Sequence, residues 1–102
     1  MDFDSADQVF ETAAELFALL STPTRLRIIC ALCEGEKNVG ELMQWVAVSQ
    51  SNMSQHLGVL YRGGVLGRRR AGAQVYYRVV SQRVLLLRDA ICEAQGVVPG
   101  HV

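Results

Sequence analysis

The chain has 102 residues, half of them hydrophobic, and its ten Lys plus Arg balance ten Asp plus Glu to a formal net charge of zero. This composition indicates one small globular domain over residues 1–102 and excludes a disordered chain, which needs few apolar residues and a large net charge. The longest aliphatic run covers residues 84–87, whereas a membrane span needs about 18 consecutive apolar residues.

The N-terminal segment and the cysteines indicate the compartment. The start, MDFDSADQ, is acidic and has neither the basic nor the apolar segment of a secretory signal. Three cysteines are an odd number and too few for a disulfide scaffold, which is typical of a reducing compartment. We therefore expect a cytoplasmic protein without a membrane partner, with flexible tails at residues 1–4 and 97–102.

Two helices are predicted first. A capping-box pattern at Ser5, followed by apolar residues at helical spacing, predicts a helix that ends near Leu20. A second helix begins after a cap at Ser21 or Thr22, because Pro23 is tolerated in a first turn, where its missing N–H costs nothing. The apolar stripe of this second helix consists of Leu26, Ile29, Cys30 and Cys33.

Two further short helices follow. Asn38 and Glu41 form a capping-box pattern for the third helix, and Ser49 caps the fourth after a link at residues 47–48. Glycines at residues 63–64 end the fourth helix. Its predicted buried stripe consists of Met53, Leu57 and Leu60.

The period of the sequence then changes from helical to alternating. Residues 65–80 predict a β-hairpin with its turn near residues 71–73. Val75, Tyr77 and Val79 share one side, and Gln74, Tyr76 and Arg78 share the other. Ser81 then caps a last helix that reaches about Gln95. The predicted fold is mainly α with a β-hairpin wing: a winged helix-turn-helix of four helices, two strands and one helix.

The zero net charge hides an uneven distribution. Residues 1–41 hold eight acids and three bases, whereas residues 42–88 hold seven arginines and no acid. Arginine both neutralises phosphate and hydrogen-bonds it through its planar fork, so this stretch favours a surface for polyanions. The alternative is an ordinary solvated face.

The fourth helix fits a DNA-recognition helix, which must bury one stripe and present small or hydrogen-bonding side chains to the major groove. Gln50 and Asn52 are the candidates for base contacts, because amides pair bidentately with adenine. Ser49 and Ser51 lie near the helix N-terminus, which favours phosphate. The sequence leaves three roles for His56: support of the packing, a phosphate contact or a base contact. The predicted contact residues are Ser49, Gln50, Ser51, Asn52, Ser54, Gln55 and His56.

The wing supplies the second set of predicted DNA contacts. Arg68, Arg69 and Arg70 lie where the hairpin approaches its turn, and we expect them to reach the DNA backbone or a minor groove. Tyr76 belongs to this set, and Arg78 is a further candidate. For any single arginine, plain solvent exposure is the alternative.

Residues 16–80 resemble the ArsR/SmtB family of bacterial winged-helix repressors. The matching segments are LSTPTRLRII, VGEL, SQSNMSQHLGVL and GVLGRRRAGAQVYY, in this order. The resemblance implies a homodimer joined through the first and last helices. It also implies binding to near-palindromic, double-stranded operator DNA and release when an inducer binds.

Two metal-site patterns of the family lack their ligands in this chain. The start of the third helix has no thiol, and the last helix offers Asp89 and Glu93 but no histidine. Borderline metals such as zinc prefer imidazole and thiolate, so we expect no metal site of these types and no cofactor. We also expect no enzyme: Cys30-x-x-Cys33 lies late in a helix, unlike a thioredoxin motif, and no catalytic constellation is present.

The cysteines resemble those of the dithiol (HlyU/BigR/SqrR-like) subgroup of the family. The resemblance implies that Cys30 pairs with Cys92 through a disulfide or polysulfide bridge. Counted from Tyr77, Cys92 comes about one turn early, so either the preceding loop is shorter or the thiols are out of register. Arg27 and Arg88 are spaced to lower the pKa values of Cys30 and Cys92, respectively.

Two alternatives to a redox pair stay open. One is a soft-metal or arsenite site that needs all three thiols, including Cys33. The other is that the cysteines are structural, since buried cysteine is commonly an inert hydrophobe, and that the regulator has no inducer.

Overall fold

The computed structural model describes residues 3–94, with side chains for residues 6–92. The elements are α1 (Phe3–Leu19), α2 (Pro23–Cys33), β1 (Lys37–Asn38), α3 (Val39–Trp45), α4 (Gln50–Arg62), β2 (Leu66–Ala71), β3 (Gln74–Val79) and α5 (Gln82–Ala94). Residues 1–2 and 95–102, where most of the predicted tails fall, lie outside the described residues. Because α1 already includes residue 3, the predicted helix start at Ser5 is wrong.

The predicted order of helices and hairpin is confirmed, with one added strand. The two-residue strand β1 pairs antiparallel with β3, Lys37 opposite Tyr77 and Asn38 opposite Tyr76, which gives a three-stranded sheet of order β1-β3-β2. Two residues are too short to show an alternating pattern. Asn38 also caps α3, and the capping-box pattern predicts the start of this helix but no strand before it.

Side-chain caps fix where α2, α3 and α4 begin. The hydroxyl groups of Thr22 and Ser49 each accept a hydrogen bond from the backbone N–H three residues on, at 3.1 Å in both cases. Asn38 and Glu41 form both bonds of the predicted capping box, at 2.8 and 3.0 Å. Such a cap is worth about 1 kcal/mol, and these predicted starts are confirmed.

The core surrounds α2. Ile28 and Ile29 are fully buried there, and the stretch from residue 28 to residue 32 is buried without a break, because several elements pack around this helix. The predicted stripe of α2 is therefore too narrow. The predicted stripe of α4 is confirmed, since its three residues have no exposed surface. Fully burying one such side chain contributes about 1.5–3 kcal/mol. Among the described residues, the other fully buried large side chains are Leu42, Val65 and Val84.

The hairpin turn consists of Gly72 and Ala73, as the sequence predicted. Gly72 has φ 63, the left-handed region that glycine enters at little cost. Among the residues that the structure describes, no single helix is long and apolar enough to cross a membrane. One pair, Ala6–Leu19 with Pro23–Cys33, meets the criterion of length and composition jointly and is bent by 90°.

Candidate operator interface and thiol cavity

One face of α4 is polar and open to solvent. Met53 points into the core, whereas Gln50, Ser51 and Asn52 are exposed, as are Ser54 and Gln55 one turn further on. The Ser49 oxygen accepts from its own helix, so its hydroxyl hydrogen is the group left to donate to a phosphate. The arrangement thus presents amides and hydroxyls on a helix of the width that a major groove admits.

His56 differs from the other predicted contact residues. It is half-buried, and its Nδ1 accepts a hydrogen bond from Nε of Arg25 at 3.2 Å. The same guanidinium donates to the backbone oxygen of Leu19 at 3.3 Å. Arg25 therefore joins α4 to the start of α2 and the end of α1. Of the three interpretations of His56, this geometry favours packing support.

The three wing arginines face two different sides of the hairpin. Arg68 and Arg70 lie opposite Tyr77 and Val75, whereas Arg69 lies opposite Tyr76 on the other face. The physical reason is the pleat, which sends neighbouring side chains of a strand to opposite faces. The three arginines therefore do not share one face of the hairpin, and their contact with DNA stays a prediction.

Each face gives its arginine a different partner. The Arg68 guanidinium lies 3.9 Å from the ring centroid of Tyr61. Arg69 lies over the ring of Tyr76 at 5.0 Å, and its Nε donates to both Glu36 oxygens at 3.1 and 3.0 Å. The pKa of Glu36 is lowered, mainly by this hydrogen bond, so the pair is charged at neutral pH. Arg70 is exposed, and the described residues give it no hydrogen bond or ion pair.

Sequence reasoning missed both partners. Glu36 stands in a turn with no pattern around it, and the contact depends on β1 lying beside the hairpin. Tyr61 is the last residue but one of α4 and meets Arg68 only because the helix and the wing pack together. No local signal identifies either contact.

The structure brings two of the three thiols together. The Sγ atoms of Cys30 and Cys92 are 2.7 Å apart, and the two residues are only 5% and 3% exposed. Only two residues separate the end of β3 at Val79 from the start of α5 at Gln82, so the loop before α5 is short. Of the two alternatives for the early position of Cys92, its contact with Cys30 favours a short loop over thiols out of register.

A cavity of about 250 Å³ lies beside this pair. It is lined by Cys30, Cys33, Glu34, Arg88, Asp89 and Cys92. Cys33 is half-buried there, at the end of α2. Among the described residues, no group of three or more His, Cys, Asp or Glu is placed to hold a metal ion.

The electrostatics of the cavity differ from the sequence expectation. Burial raises the pKa of Cys30 to about 12, and the hydrogen bond with Cys92 adds to the effect. The prediction that Arg27 lowers this pKa is wrong, because Arg27 is exposed and desolvation dominates. Burial also raises the pKa of Cys33, with Cys92 as the next cause, and Arg88 opposes this rise.

An apolar surface lies on α1 and α5, apart from the polar face of α4 with the wing and apart from the cysteine cavity. Val9 and Phe17 of α1 are 65% and 59% exposed, and Leu86 of α5 is 86% exposed. A groove of about 350 Å³ runs between these side chains. Contiguous exposed apolar surface of this kind marks interaction sites in soluble proteins.

The fold and the polar α4 face define a winged helix-turn-helix domain, and known proteins identify the family. The profile of the bacterial regulatory protein, arsR family, matches residues 22–66. The chain is 41% identical over 78 residues to the biofilm growth-associated repressor of Xylella fastidiosa (strain Temecula1), over 76% of this chain and 68% of that protein. It is 33% identical over 98 residues to the transcriptional activator HlyU of Vibrio cholerae serotype O1, over 92% of this chain and 91% of that protein.

Solved structures agree. The transcriptional repressor BigR from Xylella fastidiosa superimposes with a TM-score of 0.80 at 35% identity, over 92% of this chain and 96% of that one. Reduced HlyU from Vibrio cholerae N16961 superimposes with a TM-score of 0.82 at 30% identity, over 88% of this chain and 95% of that one. A homodimeric winged helix-turn-helix DNA-binding domain from Mycobacterium bovis superimposes with a TM-score of 0.77 at 25% identity, over 91% of this chain and 86% of that one.

The chain belongs to the arsR family of bacterial regulatory proteins. The predicted fold class and the resemblance to the subgroup that contains BigR and HlyU are confirmed. So is the coarse function, a DNA-binding transcriptional repressor of this type.

Proposed function

We propose that this repressor changes its affinity for operator DNA when Cys30 and Cys92 become covalently bridged, by a disulfide or a polysulfide. The observation that carries the proposal is the 2.7 Å separation of the two Sγ atoms across two helices. Disulfide sulfurs are about 2.04 Å apart, so a small approach of the side chains is sufficient for a bond. The adjoining cavity of about 250 Å³ gives room for inserted sulfur atoms.

The DNA-binding unit is a homodimer joined through α1 and α5. The exposed Val9, Phe17 and Leu86 supply the apolar surface for this contact, and a solved relative is described as homodimeric. In such a dimer the two α4 helices enter successive major grooves about 34 Å apart. The exposed face of α4 contacts bases and phosphates, and Arg68 and Arg70 contact the backbone beside it.

The exposed face of α4, Gln50 to Asn52 with Ser54 and Gln55, is called the operator face. The bridge acts on this face through α2 and α5. Cys92 follows Leu86 of the dimer surface by less than two helical turns, so a covalent bond to Cys30 fixes the dimer helix against α2. At its other end, α2 is joined to α4 through Arg25 and His56. A change in the α2–α5 packing therefore alters the spacing of the two recognition helices, which operator binding depends on.

Operator binding before and after thiol treatment tests the proposal. The reduced full-length protein is titrated with its operator, and the titration is repeated after an organic polysulfide, hydrogen peroxide and arsenite. We expect an affinity change with polysulfide or peroxide, together with a mass shift that links the Cys30 and Cys92 peptides. Cys92→Ser should lose both effects while keeping the helical circular dichroism and the operator affinity of the reduced protein.

Two outcomes contradict the proposal. One is the absence of any peptide linking Cys30 to Cys92 after either oxidant. The other is an affinity change that persists in Cys92→Ser. A response to arsenite that requires Cys33 as well as the pair would support the three-thiol site instead.

A further inference from the structure

The Cys30–Cys92 pair is poorly placed to meet an oxidant first. Both residues are buried, with 5% and 3% of their surface exposed. Burial and the contact with Cys92 raise the pKa of Cys30 to about 12, so Cys30 keeps its proton at neutral pH. The thiolate is the reactive form of cysteine, and Cys30 is therefore a weak first nucleophile.

Cys33 shares the cavity but differs in position. It ends α2, one helical turn after Cys30, and is only partly buried. The charged groups that face the cavity are Glu34, Arg88 and Asp89, with Arg88 Nε 3.4 Å from Asp89 Oδ1. Burial raises the pKa of Cys33; Cys92 and Glu34 add to the rise, and Arg88 opposes it. The advantage of Cys33 over Cys30 is therefore its partial access to solvent, together with the Arg88 guanidinium that lines the same cavity.

We infer that Cys33 is the first-reacting thiol of this chain, and that it passes the oxidation on to Cys92 and Cys30 within the cavity that the three residues line. The inference rests on the proposed function, because it concerns how the Cys30–Cys92 bridge forms. It assigns a catalytic role to a cysteine that the final bridge does not contain.

With hydrogen peroxide as the oxidant, the relay has three steps. The Cys33 thiolate attacks one peroxide oxygen, the O–O bond breaks, and hydroxide leaves and takes up the proton that the thiol had released. Sulfur loses two electrons, peroxide gains them, and Cys33 becomes a sulfenic acid. The Cys92 thiol then attacks Cys33 Sγ and forms a Cys33–Cys92 disulfide, and the sulfenic hydroxyl leaves as water with the Cys92 proton.

The last step is a thiol–disulfide exchange. The Cys30 thiol attacks Cys92 Sγ, which lies 2.7 Å away in the reduced protein, and the Cys33–Cys92 bond breaks. Cys33 leaves as a thiol with the proton that Cys30 gave up. The sum is two thiols and one peroxide giving one disulfide and two waters, and Cys33 is regenerated.

The test follows hydrogen peroxide oxidation of the full-length protein, stopped at intervals by alkylation and analysed by mass spectrometry. In the wild type, a Cys33–Cys92 link should appear before the Cys30–Cys92 link. Cys33→Ser should form the same Cys30–Cys92 product at least about tenfold more slowly, because it lacks the one partly exposed thiol that lines the cavity. Cys30→Ser should stop at the Cys33–Cys92 disulfide. Cys92→Ser should leave a sulfenic acid on Cys33 that dimedone labels.

Control variants separate a chemical role from a structural one. Cys33→Ala should be as slow as Cys33→Ser, and both should bind operator like the wild type when reduced. Arg88→Gln should slow the first step, whereas Arg27→Gln removes the same charge from an exposed site on α2 and should not.

The two hypotheses fail in different ways. Formation of the Cys30–Cys92 bridge at the wild-type rate in Cys33→Ser, or first labelling at Cys92, would overturn the relay and leave the proposed function standing. If the relay runs as described but the bridged protein binds operator unchanged, the proposed function fails and the role of Cys33 stands.

Discussion

The operator face and the thiol cavity are built in opposite ways around the same helix. Near the start of α2, Arg25 contacts His56 of α4, the helix whose amides and hydroxyls are exposed. At its end, Cys30 and Cys92 are buried against each other. A surface that must meet a second molecule shows in the local pattern of polar and apolar residues. A buried pair of cysteines looks like ordinary core in the sequence, since cysteine behaves as a small hydrophobe.

The largest expected effect separates the two faces of α4. Leu57 has no exposed surface, so Leu57→Ala removes core packing and should cost about 2–5 kcal/mol of unfolding free energy. Gln55→Ala, two residues earlier on the exposed face, should change stability by less than about 0.5 kcal/mol. Urea denaturation of both reduced variants checks this. Equal losses would show that the exposed face of α4 is packed.

The next effect concerns base readout. Gln50→Ala or Asn52→Ala should each weaken the free energy of binding to the preferred operator by about 1–3 kcal/mol. Each should also relax the sequence preference, because it removes an amide that pairs with a base. Binding to the operator and to a scrambled duplex at one salt concentration gives the measurement. A variant that weakens binding to both duplexes alike would instead have lost a phosphate contact.

The thiol cavity should show its own signature in the pH dependence of stability. The pKa of Cys30 is raised in the folded protein from its ordinary 9.0 to about 12, so the folded state holds this proton more tightly than the unfolded chain does. The contribution of this proton to the free energy of unfolding is complete below about pH 9 and is lost as the pH rises toward 12. Each unit of pH within that window removes at most about 1.4 kcal/mol.

Urea unfolding under reducing conditions at pH 8 and pH 10 measures this loss. The matched comparison is Cys30→Ala, which lacks the group and should show a smaller fall between the two pH values. Falls of equal size in both proteins would mean that other groups cause the alkaline destabilisation.

The smallest effects concern the wing. Arg70→Ala should weaken binding to all duplexes alike and lower the salt dependence by about one phosphate contact per protomer, or about two per dimer. Arg69→Ala should have a smaller effect, because Glu36 already holds that guanidinium. Glu36→Gln should release Arg69 and strengthen binding slightly. If Arg69→Ala proves as costly as Arg70→Ala at every salt concentration, the ion pair opens on DNA.

Much of the operator side followed from the sequence. Ser49 caps α4, and the stripe of Met53, Leu57 and Leu60 that sets the inner face of α4 is buried as its spacing predicted. These features depend on hydrogen bonds and side-chain spacings within one or two helical turns. His56 and Arg69 were harder to interpret, because their partners come from residues 31 and 33 positions away.

The thiol side depended on a contact between distant residues. The resemblance to the dithiol subgroup pointed to Cys30 and Cys92, but their register was open because helix spacing alone does not say how two helices cross. The sulfurs meet across 62 residues of chain, and their contact requires both the short link before α5 and the packing of α5 on α2. The predicted direction of the pKa shift at Cys30 was wrong because the shift depends on how completely the packed neighbours exclude water, which the spacing of Arg27 along the helix does not show.

The sequence alone determined the order of the helices and the hairpin, the caps that begin α2, α3 and α4, and the uneven distribution of charge behind a net charge of zero. Only the tertiary structure decided that Cys30 touches Cys92, that Cys33 opens on the same cavity, and that Glu36 holds Arg69. The physical reason is range. Caps and apolar periodicity act between neighbours along the chain, whereas a sulfur–sulfur contact requires the core to pack two distant helices together.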